Sequence, residues 1–358
     1  MRVVILGCGG FVGSHLLDNL LDDPRYQIEG WDPEDRKIRR HLVNPRFTLH
    51  RTVAHAPEAL VEVERAIVHC DVVINLAAIC NPADYNTQPL AVIRANLFDV
   101  YPIVELCAKH RRWLVSFSTS ETYGRTISSY LPASSDADPD LYELREDETP
   151  LIMGPIRNQR WTYACAKQMT ERLIYAHHTE EGLPFTIIRP LNFFGPRMDY
   201  IPTRDGDGVP RVLACFMAAL LSGEPMQLVD GGHARRTIVS IYEAVDAIRR
   251  VLEKPEASQN QIFNIGNRQN EVTMAELADL MRRTYATITG DPRYNDHPIV
   301  TTSAEQFYGK GYEDCDRRMP DIGKAERLLG WVPTMRLPEI LLGTMRSYHD
   351  EYAVPKAA

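Results

Sequence analysis

At 358 residues the chain is longer than one average domain, and its 44% hydrophobic and 25% charged content is that of a globular, water-soluble protein. A net charge of -8 leaves no basic footprint, so nucleic acid is not an expected partner. No apolar run nears the roughly 18 residues that cross a bilayer, no cleavable signal opens the chain, and the seven cysteines form no C-x-x-C pair; the expected setting is the cytoplasm, off the membrane, with reduced thiols.

Residues Arg2 to Leu6 form a β-branched, apolar run that leads straight into Gly7-Cys8-Gly9-Gly10-Phe11-Val12-Gly13 and then the helical pattern of Ser14 to Leu21. A buried strand, a glycine turn and a helix N-terminus make a dinucleotide cradle, because glycine lets the backbone approach a pyrophosphate that the helix dipole attracts. Gly7, Gly10, Phe11, Val12 and Gly13 are therefore the expected cofactor contacts. The second strand, Ile28 to Trp31, ends in Asp32, about 20 residues past the last glycine, where a carboxylate accepts hydrogen bonds from an adenosine ribose. Arg36, Arg39 and Arg40 could serve a 2′-phosphate, but the acid at the strand end opposes one by charge, so NAD is expected over NADP.

A third strand is expected at Phe47 to Val53 and a fourth, central and parallel, at Cys70 to Ala78, with Ala77 at the end that faces the ligand crevice. A helix from Leu90 to His110, kinked at Pro102, returns the chain to a fifth strand, Trp113 to Ser118. Thr119, Ser120 and Glu121 follow at once, placed to handle the oxygens of a sugar, although small polar residues also suit helix capping there. Residues Thr126 to Ile156 show little periodicity and read as a long loop crossing the substrate mouth.

In the stretch Gln159 to Gln168, Tyr163 and Lys167 stand four residues apart at the start of a helix that runs to about Glu181, so they share a face. A phenol titrates near 10, and a neighbouring ammonium favours the phenolate, which suits removal of an alcohol proton. A sixth strand, Pro184 to Pro190, extends an alternation of strands and helices that specifies an α/β, doubly wound parallel sheet. Beyond it the turn-rich segment Leu191 to Gly208, with Asn192, Arg197 and Asp199, has the texture of a specificity region. A helix at Pro210 to Leu221, strands at Gln227 to Asp230, Ile238 to Ile241 and Ile262 to Ile265, and helices at Thr273 to Tyr285 and near Leu337 to Glu351 complete the pattern. Arginine suits bidentate capture of phosphate, which makes Arg211 and Arg236 candidates for a diphosphate.

Taken in order, Gly7-x-x-Gly10-x-x-Gly13, Asn75-Leu76-Ala77-Ala78, Ser118-Thr119-Ser120-Glu121, Tyr163-x-x-x-Lys167 and Arg189-Pro190-Leu191-Asn192 make the chain resemble the extended short-chain dehydrogenase/reductases that act on nucleotide sugars. Ser120-Glu121 is similar to the UDP-glucuronic acid decarboxylase branch. The tracts from Ile79 to Asn86, Gln159 to Gln168, Gly208 to Leu213 and Tyr308 to Tyr312 resemble the UDP-apiose/UDP-xylose synthases within that branch. The resemblance implies a Rossmann-like doubly wound sheet in residues 1–190, with a segment at about 235–267 returning to it, and a smaller C-terminal substrate-binding domain from 191–234 and 268–350. It also implies NAD as cofactor, UDP-glucuronic acid and UDP-pentoses as small-molecule partners, no metal, and a homodimer.

By the same resemblance Tyr163 takes the proton of the 4-hydroxyl, Lys167 depresses the tyrosine and binds the nicotinamide ribose, and Thr119 holds the 4-oxygen. Glu121 and Arg318 orient the substrate carboxylate and handle protons, while Cys80 and Ser120 occupy the positions of a cysteine pair that assists rearrangement in the synthases. Tyr85, Arg160, Tyr308, Asp314 and Arg318 are implied at the sugar, and Asn192, Arg211 and Arg236 at UDP. There are two departures: Ser120 where the synthases carry cysteine, and Gln227 where a lysine is expected near the uracil or diphosphate. Two other readings therefore stand beside the synthase, a decarboxylase giving only UDP-xylose or a 4-keto-pentose, and a non-catalytic NAD sensor.

Overall fold

The computed structural model describes residues 1–131, 138–202, 204–206, 209–309, 315 and 317–353. Its centre is a parallel sheet of seven strands: β1 (Arg2–Leu6), β2 (Gln27–Trp31), β3 (Phe47–His50), β4 (Val72–Asn75), β5 (Trp113–Phe117), β6 (Phe185–Pro190) and β7 (Gln261–Ile265). They lie side by side as β7-β6-β5-β4-β1-β2-β3, so the winding reverses between β1 and β4 and opens a crevice at their carboxyl ends. Period-two alternation assigns side chains to the two faces: Val3 and Ile5 join Leu16, Leu20 and Ile248 on one side, while Val4 and Leu6 join Val63, Ile103 and Leu114 on the other. With both faces covered, β4 and β5 are buried throughout, which explains their unbroken apolar sequence.

Several elements differ from the sequence expectations for local reasons. Strand β4 stops at Asn75 rather than Ala78 because the Asn75 side chain accepts the Ala77 N–H at 3.2 Å and turns the chain out of the sheet. The expected helix from Leu90 to His110 is three pieces, Pro89–Ile93, a π-helical turn at Arg94–Phe98, and Tyr101–Lys109. Pro102 lies in the first turn of the last piece, where its missing N–H costs nothing. The irregularity belongs instead to buried Asn96, whose Nδ2 donates to Val92 O at 2.9 Å and to Ile79 O at 2.8 Å. Helices Leu60–His69 and Ile241–Glu253, which cover opposite faces of the sheet, go beyond the elements expected from sequence.

The C-terminal region has a core of its own, with Phe216, Met217, Leu277, Met281, Leu341 and Met345 from three helices. Those helices are Val212–Ser222, Met274–Thr289, opened by a reciprocal cap between Thr273 and Glu276, and Leu337–Tyr352. A small sheet joins Glu271–Thr273, Arg235–Thr237, Arg317–Pro320 and Glu143–Leu144 in that order. Residues Thr126 to Ile156 thus supply a strand to this sheet as well as helical turns. Among the described residues no helix is long and apolar enough to cross a membrane.

Beneath the crevice, buried Glu171 on the Thr162–Glu181 helix grips Arg189 of β6 in two bonds of 3.0 and 2.6 Å and accepts from the Ser118 hydroxyl. The Arg189 guanidinium also covers the Tyr123 ring at 4.6 Å. Removing one partner strands the other charge in a low-dielectric interior. Arg189→Met is therefore expected to destabilise the fold by about 3–5 kcal/mol in urea unfolding, and combining it with Glu171→Leu is expected to recover part of that loss.

Candidate active site

A cavity of about 690 Å³ lies along the crevice. Its first wall is the glycine turn and the helix Phe11–Leu21, whose N-terminus carries no side-chain cap. Gly7 has φ +85, and a Cβ there would lie 2.9 Å from Ala77 N; a Cβ on Gly13 would lie 2.4 Å from Gly7 O. Side chains are thus excluded where a pyrophosphate has to approach the backbone, and uncapped helix N–H groups point at it. Asp32 at the end of β2 accepts the N–H groups of Gly9 at 2.8 Å and Glu34 at 2.9 Å. The arginines that could have bound a 2′-phosphate are committed to acids: Arg36 to Glu351 and Asp205, Arg39 to Asp35, and Arg40 to Asp18. These residues fit NAD. Ala77 lies behind the turn with its N–H held by Asn75, and Leu76 and Ala78 line the cavity in its place.

The central wall comes from the Thr162–Glu181 helix and the end of β5. Tyr163 and Lys167 both line the cavity, as their spacing predicts. The Tyr163 ring stacks on Tyr85 with centroids 4.9 Å apart and planes 10° from parallel, and the Tyr85 hydroxyl donates to Cys80 O at 3.0 Å. That stack places the Ile79 to Asn86 tract, and Cys80 with it, against the tyrosine. Thr119 accepts the Glu121 N–H at 3.1 Å and begins the turn that carries buried Ser120.

The electrostatics depart from expectation at the tyrosine. Burial pushes Tyr163 well above the ordinary phenol range; the Cys80 thiol and the Glu121 carboxylate add to the rise, and a Thr119 hydrogen bond and Arg211 only oppose it. Lys167 donates to Phe117 O at 2.9 Å, and burial lowers its own pKa from 10.5 to about 8 against the pull of Cys80 and Glu171. Desolvation thus sets the direction at the tyrosine, and the influences that lower it come from Thr119 and Arg211 rather than from the lysine expected to do so.

Glu121 is the most constrained charge in the cavity. Arg160 Nη2 lies 2.5 Å from Oε2, and Arg318 makes a two-pronged contact, to Oε1 through Nη1 and to Oε2 through Nη2 at 3.0 Å. Burial alone would raise its pKa, but Arg160, Arg318 and then Arg236 hold the carboxyl far below the usual carboxylate range. Glu121 therefore accepts hydrogen bonds and does not donate a proton near neutral pH.

Asn192, Arg211, Arg236 and Tyr308 also line the cavity. Asn192 donates to Thr237 O at 2.9 Å, Arg236 to Cys315 O at 2.8 Å, and Tyr308 O accepts from Asn86 Nδ2 at 3.1 Å. Arg211 is held by Asp199 through bonds of 2.9 and 3.2 Å, a partner that sequence spacing did not single out. Gln227 lines the same wall, and Asp314 lies outside the described residues. Apolar lining from Phe193, Met198, Phe216 and Phe307 carries no sequence signal apart from general hydrophobicity. Among the described residues of the 126–156 segment none lines the cavity, and residues 132–137 lie outside the described residues.

The buried lysine generates a pH prediction. Below about pH 8 folded and unfolded chains both carry the Lys167 proton, and the full cost of burying the cation is present. Between about 8 and 10.5 the folded chain sheds the proton while the unfolded chain keeps it, so that cost fades as pH rises. The unfolding free energy of Lys167→Met minus that of the wild type should therefore fall by about 3 kcal/mol across that window in urea titrations. A difference that stays flat with pH would contradict the assignment.

Residues 3–266 match the NAD dependent epimerase/dehydratase family. The chain is 46% identical to the UDP-D-apiose/UDP-D-xylose synthase of Oryza sativa subsp. japonica, covering 98% of this chain and 90% of that one. It is 45% identical to UDP-D-apiose/UDP-D-xylose synthase 1 of Arabidopsis thaliana, over 99% and 92% of the two chains. Among solved structures, the PbgP3 protein from Burkholderia pseudomallei superimposes with a TM-score of 0.83 at 30% identity, covering 98% of this chain and 97% of that one. A nucleotide cradle that admits no side chain and a tyrosine-lysine pair sharing its cavity agree with these matches, and the chain belongs to the NAD dependent epimerase/dehydratase family, with NAD as its cofactor.

Proposed function

We propose that the chain converts UDP-glucuronic acid, with NAD retained, into UDP-apiose together with UDP-xylose. The observation that carries this reading is the Glu121 site, where Arg160 and Arg318 converge beside Tyr163 and Cys80 in a chain akin to proteins named as such synthases. Guanidinium forks suit a substrate carboxylate, and Arg211 with Arg236 in the same lining suit a diphosphate.

In this reading Tyr163 exchanges a proton with the 4-hydroxyl, and Thr119 holds the 4-oxygen. Bringing a buried phenol to its phenolate is the task of the Lys167 charge and the Thr119 hydrogen bond. The glycine turn, Asp32 and Lys167 would hold NAD, which would supply the hydride acceptor for C4 and later the donor. The 4-ketone delocalises the carbanion left at C5 when CO₂ departs. Since Glu121 is held fully ionised, we assign it and Arg318 to orienting the carboxylate rather than to delivering protons. Protonation at C5 and hydride return to C4 give UDP-xylose. For UDP-apiose the 2-hydroxyl loses its proton and the C2–C3 bond breaks, leaving an aldehyde at C2. C4 then attacks C2 while the 3-hydroxyl gives up its proton, and C3 emerges as the aldehyde that hydride reduces to the branch carbon.

We assign these proton movements to Cys80, which lines the cavity beside the Tyr163 and Tyr85 stack. The serine at position 120 favours a second reading, a decarboxylase that stops at UDP-xylose or the 4-keto-pentose, because a hydroxyl is a far weaker acid than a thiol. NMR of the NAD-loaded protein with UDP-glucuronic acid should show both pentoses; xylose alone would select the second reading, and no CO₂ would refute both. Tyr163→Phe should retain NAD but lose turnover by roughly 10³-fold.

We further propose a division near residue 190 into NAD-binding and nucleotide-sugar-binding parts, a cytoplasmic setting in keeping with cysteines that are scattered through the sequence without a C-x-x-C pair, and a homodimer. Phe98, Tyr101, Met169 and Tyr175 are 63%, 43%, 53% and 57% exposed on the neighbouring segments Arg94–Lys109 and Thr162–Glu181, an apolar face that a second copy would cover. Sedimentation should give a dimer for the wild type and a monomer for Phe98→Asp combined with Tyr175→Arg; a wild-type monomer would end this part of the proposal.

A further inference from the structure

Arg197, Met198 and Asp199 join the dinucleotide helix to Arg211 in the lining of the cavity. Arg197 Nη2 donates to Asp18 Oδ2 at 2.6 Å and to His15 Nδ1 at 2.9 Å, both on the helix that begins at the glycine turn. Its Nη1 donates to Lys37 O at 3.3 Å. With Nδ1 accepting, the proton of His15 sits on Nε2 and is donated to Pro196 O at 2.8 Å, which closes a ring of contacts around the turn. Arg197 has φ +64, a conformation that side chains oppose, and these bonds hold it there. Two residues on, the Asp199 carboxylate takes Arg211 Nε at 2.9 Å and Nη2 at 3.2 Å, while Met198 O accepts Nη2 at 3.1 Å. Asp199 is itself pinned: its N–H donates to the Tyr348 hydroxyl at 2.8 Å, and that hydroxyl donates to Asp199 O at 2.9 Å. The guanidinium so placed lies 5.9 Å from the ring of Phe11, in the first turn of the dinucleotide helix.

We propose that Arg197 and Asp199 are positioning residues that set the Arg211 guanidinium for a nucleoside diphosphate and tie this part of the cavity lining to the dinucleotide helix. The proposal rests on the reading of Arg211 as a diphosphate ligand. Asp199 fixes the plane of the fork, and Arg197 fixes Asp199 by anchoring the turn to His15 and Asp18.

The test uses NAD-loaded protein, calorimetric titration with UDP, and CO₂ release from UDP-glucuronic acid, for the wild type, Arg197→Met, Arg211→Lys and the double variant. Arg197→Met should raise both the Kd for UDP and the KM about tenfold with kcat within about twofold, a split that a general loss of folded protein would not produce. Arg211→Lys should weaken UDP at least as much, and the double variant should be no weaker than Arg211→Lys, because both changes act through one guanidinium. An unchanged Kd in Arg197→Met beside a weakened Arg211→Lys overturns the positioning role alone. An unchanged Arg211→Lys overturns the diphosphate reading and the proposal with it. Additive losses also overturn it, by showing that Arg197 acts elsewhere. If Arg197→Met does not fold, Arg197→Lys, which keeps the charge facing Asp18 but not the fork toward His15, is expected to raise the Kd about threefold and is judged by the same cycle.

Discussion

A carboxylate at the end of β5, gripped by two arginines from distant parts of the chain, is the contact on which the site depends. Glu121 follows the strand, Arg160 precedes the Tyr163 helix, and Arg318 lies in the small C-terminal sheet. Burying an unpaired carboxylate costs several kcal/mol, so the end of β5 is stable in this form only when both arginines arrive. The small C-terminal sheet, through Arg318, thus completes the charge balance of the carboxylate at the end of β5.

Around that contact the cavity separates two kinds of chemistry. The glycine turn, Lys167 and Tyr163 line the part where hydride and hydroxyl proton would move, while Arg160 in the same lining and Arg318, which reaches the cavity through Glu121, stand where a carboxylate would sit. Tyr85 connects them, since its ring stacks on Tyr163 and lies 5.4 Å from the Arg160 guanidinium. The buried Glu171–Arg189 pair stiffens the floor below, so that Ser118 and the residues after it keep a fixed aim.

Much of this was legible in the residues. Unbroken apolar runs located the strands of the large sheet, because a parallel sheet covered on both faces leaves no polar side, and glycine spacing located the nucleotide turn. Tyr163 and Lys167 came from helical spacing, whereas Arg160, Tyr85 and Arg318 came only through family resemblance, since nothing local in the sequence says that they meet Glu121. What stayed hidden depends on tertiary surroundings. The early end of β4 follows from one asparagine side chain, the π turn from Asn96 reaching Ile79, and the direction of the Tyr163 shift from a degree of burial that spacing does not encode. The Asp199 partner of Arg211 is likewise a product of chain packing.

The central claim is that one cavity oxidises C4, releases CO₂ and reduces the product without losing the hydride. It is tested most directly by supplying UDP-glucuronic acid deuterated at C4 to the NAD-loaded protein and locating the label by NMR. The account predicts deuterium at C4 of UDP-xylose and on the branch carbon of UDP-apiose. Pentose products that carry only solvent hydrogen at those positions would contradict it.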